Sequence, residues 1–153
     1  MRVHLATDHA AFETKQFLAE KLADAGFEVV DHGAQTYDAA DDYPPFIIAA
    51  AEAVAANPGD LGIVLGGSGN GELIAANKVS GVRCAFANSV ELATLTRQHN
   101  DANCLALGGR FTPDDLALEI ATAFLTTEFS FEPRHQRRID MLTNYEVNGS
   151  IEG

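Results

Sequence analysis

The sequence predicts a Rossmann-like fold, a three-layer α/β/α sandwich built on a five-stranded parallel sheet and followed by a C-terminal helix. Two observations carry this prediction. Short β-type runs alternate five times with longer helical patterns, which is the element order of an open parallel sheet. The central run, residues 61–65, is continuously apolar, as expected of a strand covered on both faces.

The chain is predicted to form one domain. It has 153 residues, of which 46% are hydrophobic, and this is sufficient for one core. Because no linker, repeat or low-complexity tract interrupts it, we predict a single domain over residues 1–147. Residues 148–153 are expected to form a flexible tail.

The N-terminal elements follow from local patterns. Residues 2–6 are mostly apolar or β-branched and predict the first strand. In residues 11–25 apolar side chains recur on one side of a helix, while Lys15 and another lysine lie on a different side. The second strand is predicted at residues 27–30. The polar loop at residues 31–43 is long for an α/β unit, which is more typical of a functional loop than of a plain connection.

Capping residues and prolines mark the later helices. Pro44-Pro45 fits a first helical turn, and Ser89 is typical of an N-cap. Thr112-Pro113-Asp114-Asp115 combines an N-cap, a first-turn proline and an acid. The remaining elements are predicted, in chain order, at residues 44–56 (helix), 61–65 (strand), 72–78 (helix), 82–87 (strand), 90–99 (helix), 104–107 (strand), 113–124 (helix) and from 133 (helix).

Composition and charge exclude several classes of protein. With 22 acidic and 10 basic residues the net charge is −12, which repels nucleic acid and anionic membranes. No window has the roughly 18 apolar residues of a spanning helix, and the first residues lack a signal-peptide pattern. We therefore expect a cytoplasmic protein with neither a nucleic-acid nor a membrane partner.

The cysteines and histidines disfavour a metal site. Cys84 and Cys104 form no CxxC motif and lie in apolar runs, so we interpret them as reduced core residues, with a buried bridge left open. The five histidines show no HxxxH or HxH spacing, which disfavours zinc. No metal and no cofactor are expected.

Polar groups follow three predicted strands, at the edge where open α/β sheets bind ligands. These groups are Asp8-His9, the glycine-rich loop at residues 66–71 and Gly108-Gly109-Arg110. The loop has four glycines in six residues before a helix, so its amides can approach an anion. It matches neither a Walker A loop nor a dinucleotide fingerprint. Ligand contact is favoured over a plain tight turn, which needs fewer glycines.

Several side chains near this loop admit two interpretations. Glu72 either complements the dipole of the helix that it begins or acts as a general base. Ser68 either binds a substrate hydroxyl or caps the turn. His99 stands where helices commonly end, which by itself favours a structural role. His9 beside Asp8 is more suggestive, because the pair can orient and polarise one another.

A basic segment near the C-terminus indicates phosphate binding. Residues 134–138 hold three of the chain's 10 basic residues. Arg134 and Arg138 are four positions apart, so on a helix they share a face and can bind one phosphate. In a chain this acidic, such a cluster favours phosphate binding over a merely solvated face.

The sequence closely resembles the ribose-5-phosphate isomerase B family, which includes the galactose-6-phosphate isomerase subunits. The resemblance covers nearly the whole chain and rests on several separated motifs in the same order. These motifs are Asp8-His9, Asp42-Tyr43-Pro44, residues 66–71, Ala75-Ala76-Asn77-Lys78, Arg97-Gln98-His99-Asn100 and Arg134-His135-Gln136-Arg137-Arg138.

The resemblance implies a metal-free aldose-ketose isomerase that acts through an enediolate. It implies a homodimer with shared active sites and leaves a higher oligomer open. It further implies that His99 assists ring opening, and that the phosphorylated sugar is bound by Asp8, His9, Gly67, Ser68, Gly69, Asn70, Gly71, Asn100, Arg110, Arg134 and Arg138.

One departure concerns the base. Many members of the family have a cysteine base at the position of Gly66, whereas this chain has no thiol there. A branch typical of actinobacterial enzymes has a glutamate at the position of Glu72. The resemblance to that branch implies that Glu72 is the base. Burial would raise the pKa of this carboxyl and the helix N-terminus would lower it, and the sequence leaves the balance open.

The expected reaction is therefore interconversion of D-ribose 5-phosphate and D-ribulose 5-phosphate. Two alternatives remain. One is a sister isomerase for galactose 6-phosphate, allose 6-phosphate or a tetrulose phosphate. The other is a non-catalytic module that binds a sugar phosphate.

Overall fold

A computed structural model describes residues 1–152 and contains the predicted five βα units and terminal helix. The strands are β1 Arg2–Thr7, β2 Glu28–Asp31, β3 Leu61–Gly66, β4 Cys84–Phe86 and β5 Cys104–Gly108. The helices are α1 Phe12–Asp24, α2 Pro44–Ala56, α3 Asn70–Asn77, α4 Val90–Asn100, α5 Asp114–Thr126 and α6 Pro133–Asn148.

The five strands form one parallel sheet in the order β2-β1-β3-β5-β4. Leu5 of β1 pairs with Ile63 of β3, which pairs in turn with Leu105 of β5. The fifth strand thus lies inside the sheet and the fourth at its edge. As a result the carboxyl ends of β1, β3 and β5 are direct neighbours.

Helices cover both faces of the sheet, and each face has its own core. Side chains of α1, α4 and α5 pack on one face, among them Leu18 and Phe124. Side chains of α2 and α3 pack on the other, among them Ile47 and Ala76. Helix α6 packs against α4, where the ring of His135 lies beside that of His99, and near its C-terminal end Glu146 accepts a hydrogen bond of 2.9 Å from the amide of Gly81.

Most element boundaries lie within one residue of the predictions, and the larger differences concern α5, β4 and α3. Helix α5 has Pro113 at its N-cap position, so the prediction of Thr112 as N-cap and of Pro113 in the first turn is wrong. The extended backbone of Pro113, with ψ 147°, delays the helix to Asp114. Strand β4 is shorter than predicted, and α3 begins two residues earlier, at Asn70. The Ser89 cap is confirmed, since its Oγ accepts a hydrogen bond from Leu92 N at 3.2 Å.

Helix α6 ends at Asn148, where Gly149 adopts a left-handed conformation with φ 71°. A tail over residues 148–153 stays a prediction, and its last residue, Gly153, lies outside the described residues. None of the helices within residues 1–152 is both long enough and apolar enough to cross a bilayer.

Lys15 is the main departure from the predicted helix faces. Its side chain is only 1% exposed, although the helical pattern places it on a polar side. The ammonium group donates to both carboxylate oxygens of Asp31, at 2.7 and 2.8 Å, and to the carbonyl of Ala34 at 2.6 Å. A buried charge is tolerated only when it is paired and hydrogen-bonded in this way. Lys15 therefore fastens the start of the long loop to α1.

Replacing Lys15 should destabilise the protein. Lys15→Met keeps the aliphatic stem but removes the donors to Asp31 and Ala34, and hydrogen bonds to charged groups contribute about 1.5–3 kcal/mol. We expect the free energy of unfolding, measured by urea titration, to fall by that amount. Lys21→Met, at an exposed lysine of the same helix, is the control and should change it by less than about 0.5 kcal/mol. Equal effects of the two substitutions would contradict the assigned role.

Candidate active site

The ends of β1, β3 and β5 bring most of the predicted binding residues together. We call this group the carboxyl-edge cluster. The loop after β5 is joined to the loop after β3 by two hydrogen bonds, from Gly109 N to Gly66 O at 2.8 Å and from Arg110 N to Gly67 O at 3.1 Å. The cluster consists of Asp8, His9, Gly67–Gly71, Glu72 and Arg110.

Close backbone approach explains the glycines of this region. A Cβ on Gly108 would lie 2.4 Å from the carbonyl oxygen of Ser68, so only glycine fits. Gly69 has φ 88° and occupies the N-cap position of α3, a conformation that glycine adopts without strain. Ser68 is exposed, and its Oγ accepts a hydrogen bond from Asn70 N at 3.3 Å. The sequence left two roles open for Ser68, binding of a substrate hydroxyl and capping of the turn. This hydrogen bond corresponds to capping of the turn.

Glu72 lies in the first turn of α3 and is only 5% exposed. Its carboxyl group occupies the space beside Gly66: a Cβ added to that glycine would lie 2.0 to 2.2 Å from the carboxyl atoms. The carboxylate therefore fills the volume that a side chain at position 66 would need.

Burial is the main influence on the pKa of Glu72. Burial raises the pKa of this carboxyl above its ordinary value, and the negative charge of Asp8 raises it further. A hydrogen bond from the residue's own backbone amide opposes this shift without cancelling it. The balance that the sequence left open thus favours burial, and Asp8 and Glu72 are close enough to interact.

Asp8 and His9 are oriented by different partners. The buried Asp8 carboxylate accepts a hydrogen bond from Ala10 N at 2.9 Å, so it caps the short helical turn His9–Ala11. His9 is held by Asp41, whose Oδ1 accepts from the backbone N of His9 at 3.0 Å and lies 2.7 Å from its Nδ1. Sequence reasoning missed Asp41. The one available signal was its place in an acidic stretch of the long loop.

The hydrogen bond to Asp41 raises the pKa of His9 above its ordinary value; burial lowers it, and the charge of Asp8 raises it. Ligand-type atoms of Asp8, His9 and Asp41 lie within 4.8 Å of one another, close enough to surround a cation. However, His9 Nδ1 is already engaged with Asp41. We therefore interpret these three residues as a hydrogen-bonded group that orients the imidazole of His9, and not as a cation site.

The remaining predicted residues form a second group, which we call the α4–α6 cluster. His99 and Asn100 are exposed at the end of α4, and Arg134 and Arg138 are exposed on α6, four positions apart as predicted. The ring of His99 stacks on that of His135, with centroids 4.4 Å apart and planes 17° apart. Burial lowers the pKa of His135, and the neighbouring His99 lowers it further. A neutral, buried imidazole thus supports the exposed one.

Within one chain the two clusters lie at opposite edges of the sheet. Helix α4 begins after the carboxyl end of β4 and ends just before the amino end of β5. Its 11 residues span about 16 Å at the rise of an α-helix. His99 is therefore carried away from the edge where Glu72 lies. A single chain does not bring the two candidate catalytic residues together.

Separate cavities lie at the two edges of the sheet. A cavity of about 330 Å³ at the carboxyl edge is lined by His9, Tyr37 and Arg110, among other residues. A larger one, about 620 Å³, lies at the amino edge. In the larger cavity the positive charge of Arg97 is already paired with Asp101 at 2.9 Å. That cavity is therefore less suited to binding an anionic ligand. We place the candidate site at the smaller cavity and the glycine-rich loop.

The cysteines belong to neither cluster, although Cys84 and Asn100 line the same cavity. Cys84 and Cys104 are free, buried and directly opposite one another on β4 and β5, which confirms their interpretation as reduced core residues. The hydrogen bond with Cys104 and burial both raise the pKa of the Cys84 thiol. Buried thiols of this kind are chemically inert.

Comparison with known proteins identifies related chains. Residues 3–142 match a family model described as Ribose/Galactose Isomerase. Ribose-5-phosphate isomerase B of Mycobacterium tuberculosis is 58% identical over 146 residues, which cover 95% of this chain and 90% of that protein. The probable ribose-5-phosphate isomerase B of Mycoplasma genitalium is 43% identical, over 94% of this chain and 95% of that protein.

Solved structures of such enzymes are similar throughout. Ribose-5-phosphate isomerase B of Mycoplasma genitalium, solved with bound ribulose-5-phosphate, has a TM-score of 0.93 at 42% identity and covers 96% of this chain and 97% of its own. The enzyme of Clostridium thermocellum has a TM-score of 0.92 at 40% identity, with 98% and 100% coverage. The Rossmann-like fold predicted from the sequence is confirmed.

Removing the charge of Glu72 should stabilise the protein at neutral pH. Because its pKa in the folded chain lies above the ordinary 4.5, the ionised carboxylate lowers stability above the folded-state pKa, and this cost disappears below the unfolded-state pKa. We expect Glu72→Gln to unfold at higher urea than the unsubstituted protein at pH 7.5, with the gap closing toward pH 4. Glu91→Gln, at an exposed first-turn acid of α4, should give no such gain. A pH-independent difference for Glu72→Gln would contradict the assigned pKa direction.

Proposed function

This chain belongs to the Ribose/Galactose Isomerase family, and we propose on that premise that it interconverts D-ribose 5-phosphate and D-ribulose 5-phosphate with Glu72 as the base. The solved relative that holds ribulose-5-phosphate supports a phosphorylated sugar as the ligand. The observation that carries the assignment of the base is the position of the Glu72 carboxyl group. It fills the space beside Gly66, at the edge of the sheet where the glycine-rich loop begins.

The reaction moves one proton between two carbons. In the open-chain aldose the carbonyl at carbon 1 acidifies the proton on carbon 2. The Glu72 carboxylate removes that proton, and the electron pair of the broken C–H bond forms the enediolate. The hydroxyl proton at carbon 2 passes to the oxygen on carbon 1, and the protonated Glu72 returns its proton to carbon 1, which leaves a hydroxyl at carbon 1 and a ketone at carbon 2. Atoms and charge balance without any other reactant.

The surroundings of Glu72 suit this role. A base works best when its pKa lies near the working pH, and burial raises the pKa of Glu72 in that direction. The first amides of α3 have no partner within the helix. That of Asn70 donates to Ser68 Oγ and that of Glu72 to its own carboxyl, so the amide of Gly71 is the one assigned to the oxygens of the enediolate. Donors held rigidly beside developing negative charge lower the barrier. A Cβ at Gly71 would lie 2.6 Å from the ring of Tyr43, so glycine lets this tyrosine lie directly beside the amide.

The complete site is formed by two subunits of a homodimer. One subunit contributes the carboxyl-edge cluster, including Glu72, and the partner contributes its α4–α6 cluster. Because α4 separates the two clusters within a chain, His99 of the partner subunit is the one that assists ring opening by proton transfer at the ring oxygen. The phosphate is held by arginines of the α4–α6 cluster together with Arg110. The exposed apolar side chains of α3 and α6, Ile74, Leu142, Tyr145 and Val147, support burial of this face by a second copy.

These properties agree with a cytoplasmic enzyme. Free Cys84 and Cys104 support a reducing compartment. We therefore propose that the homodimer is cytoplasmic.

Replacing the base should abolish turnover. We expect Glu72→Gln to lower kcat for ribose 5-phosphate by about 10²–10⁴-fold, the usual contribution of a general base. Exchange of the carbon 2 proton with solvent deuterium should be lost in parallel, while substrate binding measured by calorimetry is retained. Glu91→Gln should keep full activity. Near-normal turnover by Glu72→Gln would remove Glu72 as base, and unsubstituted protein without deuterium exchange would indicate a binding module.

Mixing two inactive variants should restore activity. In a Glu72→Gln/His99→Asn heterodimer one site receives both substitutions, and the other pairs an intact Glu72 with an intact His99. With random exchange of subunits of a two-fold dimer, an equal mixture should recover about a quarter of the original activity. The activity of the mixture is followed after refolding from urea. A mixture no more active than its components would show that the two residues do not meet across the interface.

A further inference from the structure

Asp41 occupies a position that the proposed mechanism does not use. It belongs to the long loop between β2 and α2, and its Oδ1 lies 2.7 Å from Nδ1 of His9 and 3.0 Å from the backbone N of His9. Two bonds from one carboxylate oxygen fix both the main chain and the ring of the same residue. The other oxygen, Oδ2, is buried and lacks a hydrogen-bond partner among residues 1–152. An unsatisfied buried carboxylate oxygen is costly, and such groups occur where function requires them.

The contact determines which nitrogen of His9 faces the cavity. A carboxylate is only an acceptor, so Nδ1 carries a proton and Nε2 is the nitrogen left for a ligand. A neutral imidazole would present Nε2 as an acceptor, whereas an imidazolium presents it as a charged donor. The charge state of His9 therefore decides whether it attracts or repels an anionic oxygen.

The charged and titratable groups around His9 come from four elements. Asp8 follows β1, with its Oδ2 3.9 Å from Nδ1, and Asp41 comes from the long loop. Glu13 of α1, Tyr37 of the long loop and Arg110 after β5 line the same cavity. The two nearest groups are carboxylates, and they outweigh the opposing charge of Arg110.

We propose that Asp41 is a positioning residue for His9: it fixes the imidazole and keeps it protonated, so that Nε2–H binds an anionic oxygen of the sugar phosphate in the cavity shared with Arg110. The inference rests on the proposed function for the identity of the ligand, and on the structure for the pairing. The long loop thus serves to position His9. Its start is attached to α1 through Lys15, and near its end Asp41 is hydrogen-bonded to His9.

The first test is a titration of the free protein by NMR. The His9 signal is identified by its absence in His9→Gln. In the unsubstituted protein His9 should titrate above the ordinary histidine value. Asp41→Asn keeps an oxygen acceptor but loses the charge, so its His9 midpoint should fall. Asp38→Asn, at an exposed acid of the same loop whose side chain accepts a hydrogen bond from Ala40 N at 2.9 Å, should leave the midpoint unchanged.

The second test uses steady-state kinetics on ribose 5-phosphate. Asp41→Asn should raise KM at pH 8 by about ten- to hundredfold, the range for a charged hydrogen bond, with kcat changed far less. The pH at which KM begins to rise should move down together with the His9 midpoint. Titration of the substrate phosphate is the same for every enzyme and cancels in the ratio of two KM profiles.

The results separate this inference from the proposed function. An Asp41→Asn midpoint equal to that of the unsubstituted protein overturns the inference, whatever the activity. If Asp41→Asn does not fold, the unsubstituted protein alone decides, because a His9 midpoint at or below the ordinary value also overturns it. Failure of the unsubstituted protein to isomerise ribose 5-phosphate would refute the proposed function, while the NMR comparison would still test the pairing.

Discussion

The site depends on one packing relation, the carboxyl group of Glu72 lying against the bare Cα of Gly66. A side chain at position 66 would overlap this carboxyl, so the glycine is what allows the acid to be buried at the end of β3. Burial in turn raises the pKa of Glu72, and the same removal from water that destabilises the charge makes it a stronger base. Stability and reactivity are therefore opposed at this residue, as is common where a charged group is kept for chemistry.

The geometry of α4 accounts for why the proposed site needs two subunits. A helix that returns from the carboxyl edge of a parallel sheet to its amino edge must carry its last turn away from the ligand-binding edge. His99 lies in that last turn and α6 packs beside it. The residues that complement Glu72 are thus displayed outward, on the face where apolar side chains such as Tyr145 are exposed. In the proposed homodimer, a second copy of the chain places its α4–α6 cluster beside Glu72, which the topology of a single chain does not allow.

The long loop shows how an irregular segment is held in place. Its first residues continue the pairing with β1, since Thr7 N donates to Gly33 O at 2.8 Å and Ala34 N donates to Thr7 O at 2.7 Å. The buried ammonium of Lys15 then binds Asp31 and Ala34. Near its other end, Asp41 bonds to His9. The Lys15 ammonium and one oxygen of the Asp41 carboxylate are each paired, and these contacts attach the two ends of the loop to α1 and to His9.

Local patterns in the sequence determined the class of fold and the order of its elements and pointed to part of the candidate site, because periodicity, glycine runs and caps act over a few neighbouring residues; the role of His99 came from the family resemblance. The glycine-rich loop, Asp8-His9 and the paired arginines were all visible in this way. The tertiary structure alone decided the inward place of β5, the burial of Lys15, the pairing of Asp41 with His9 and the separation of His99 from Glu72. Each of these depends on contacts between residues far apart in the chain, which no local pattern records.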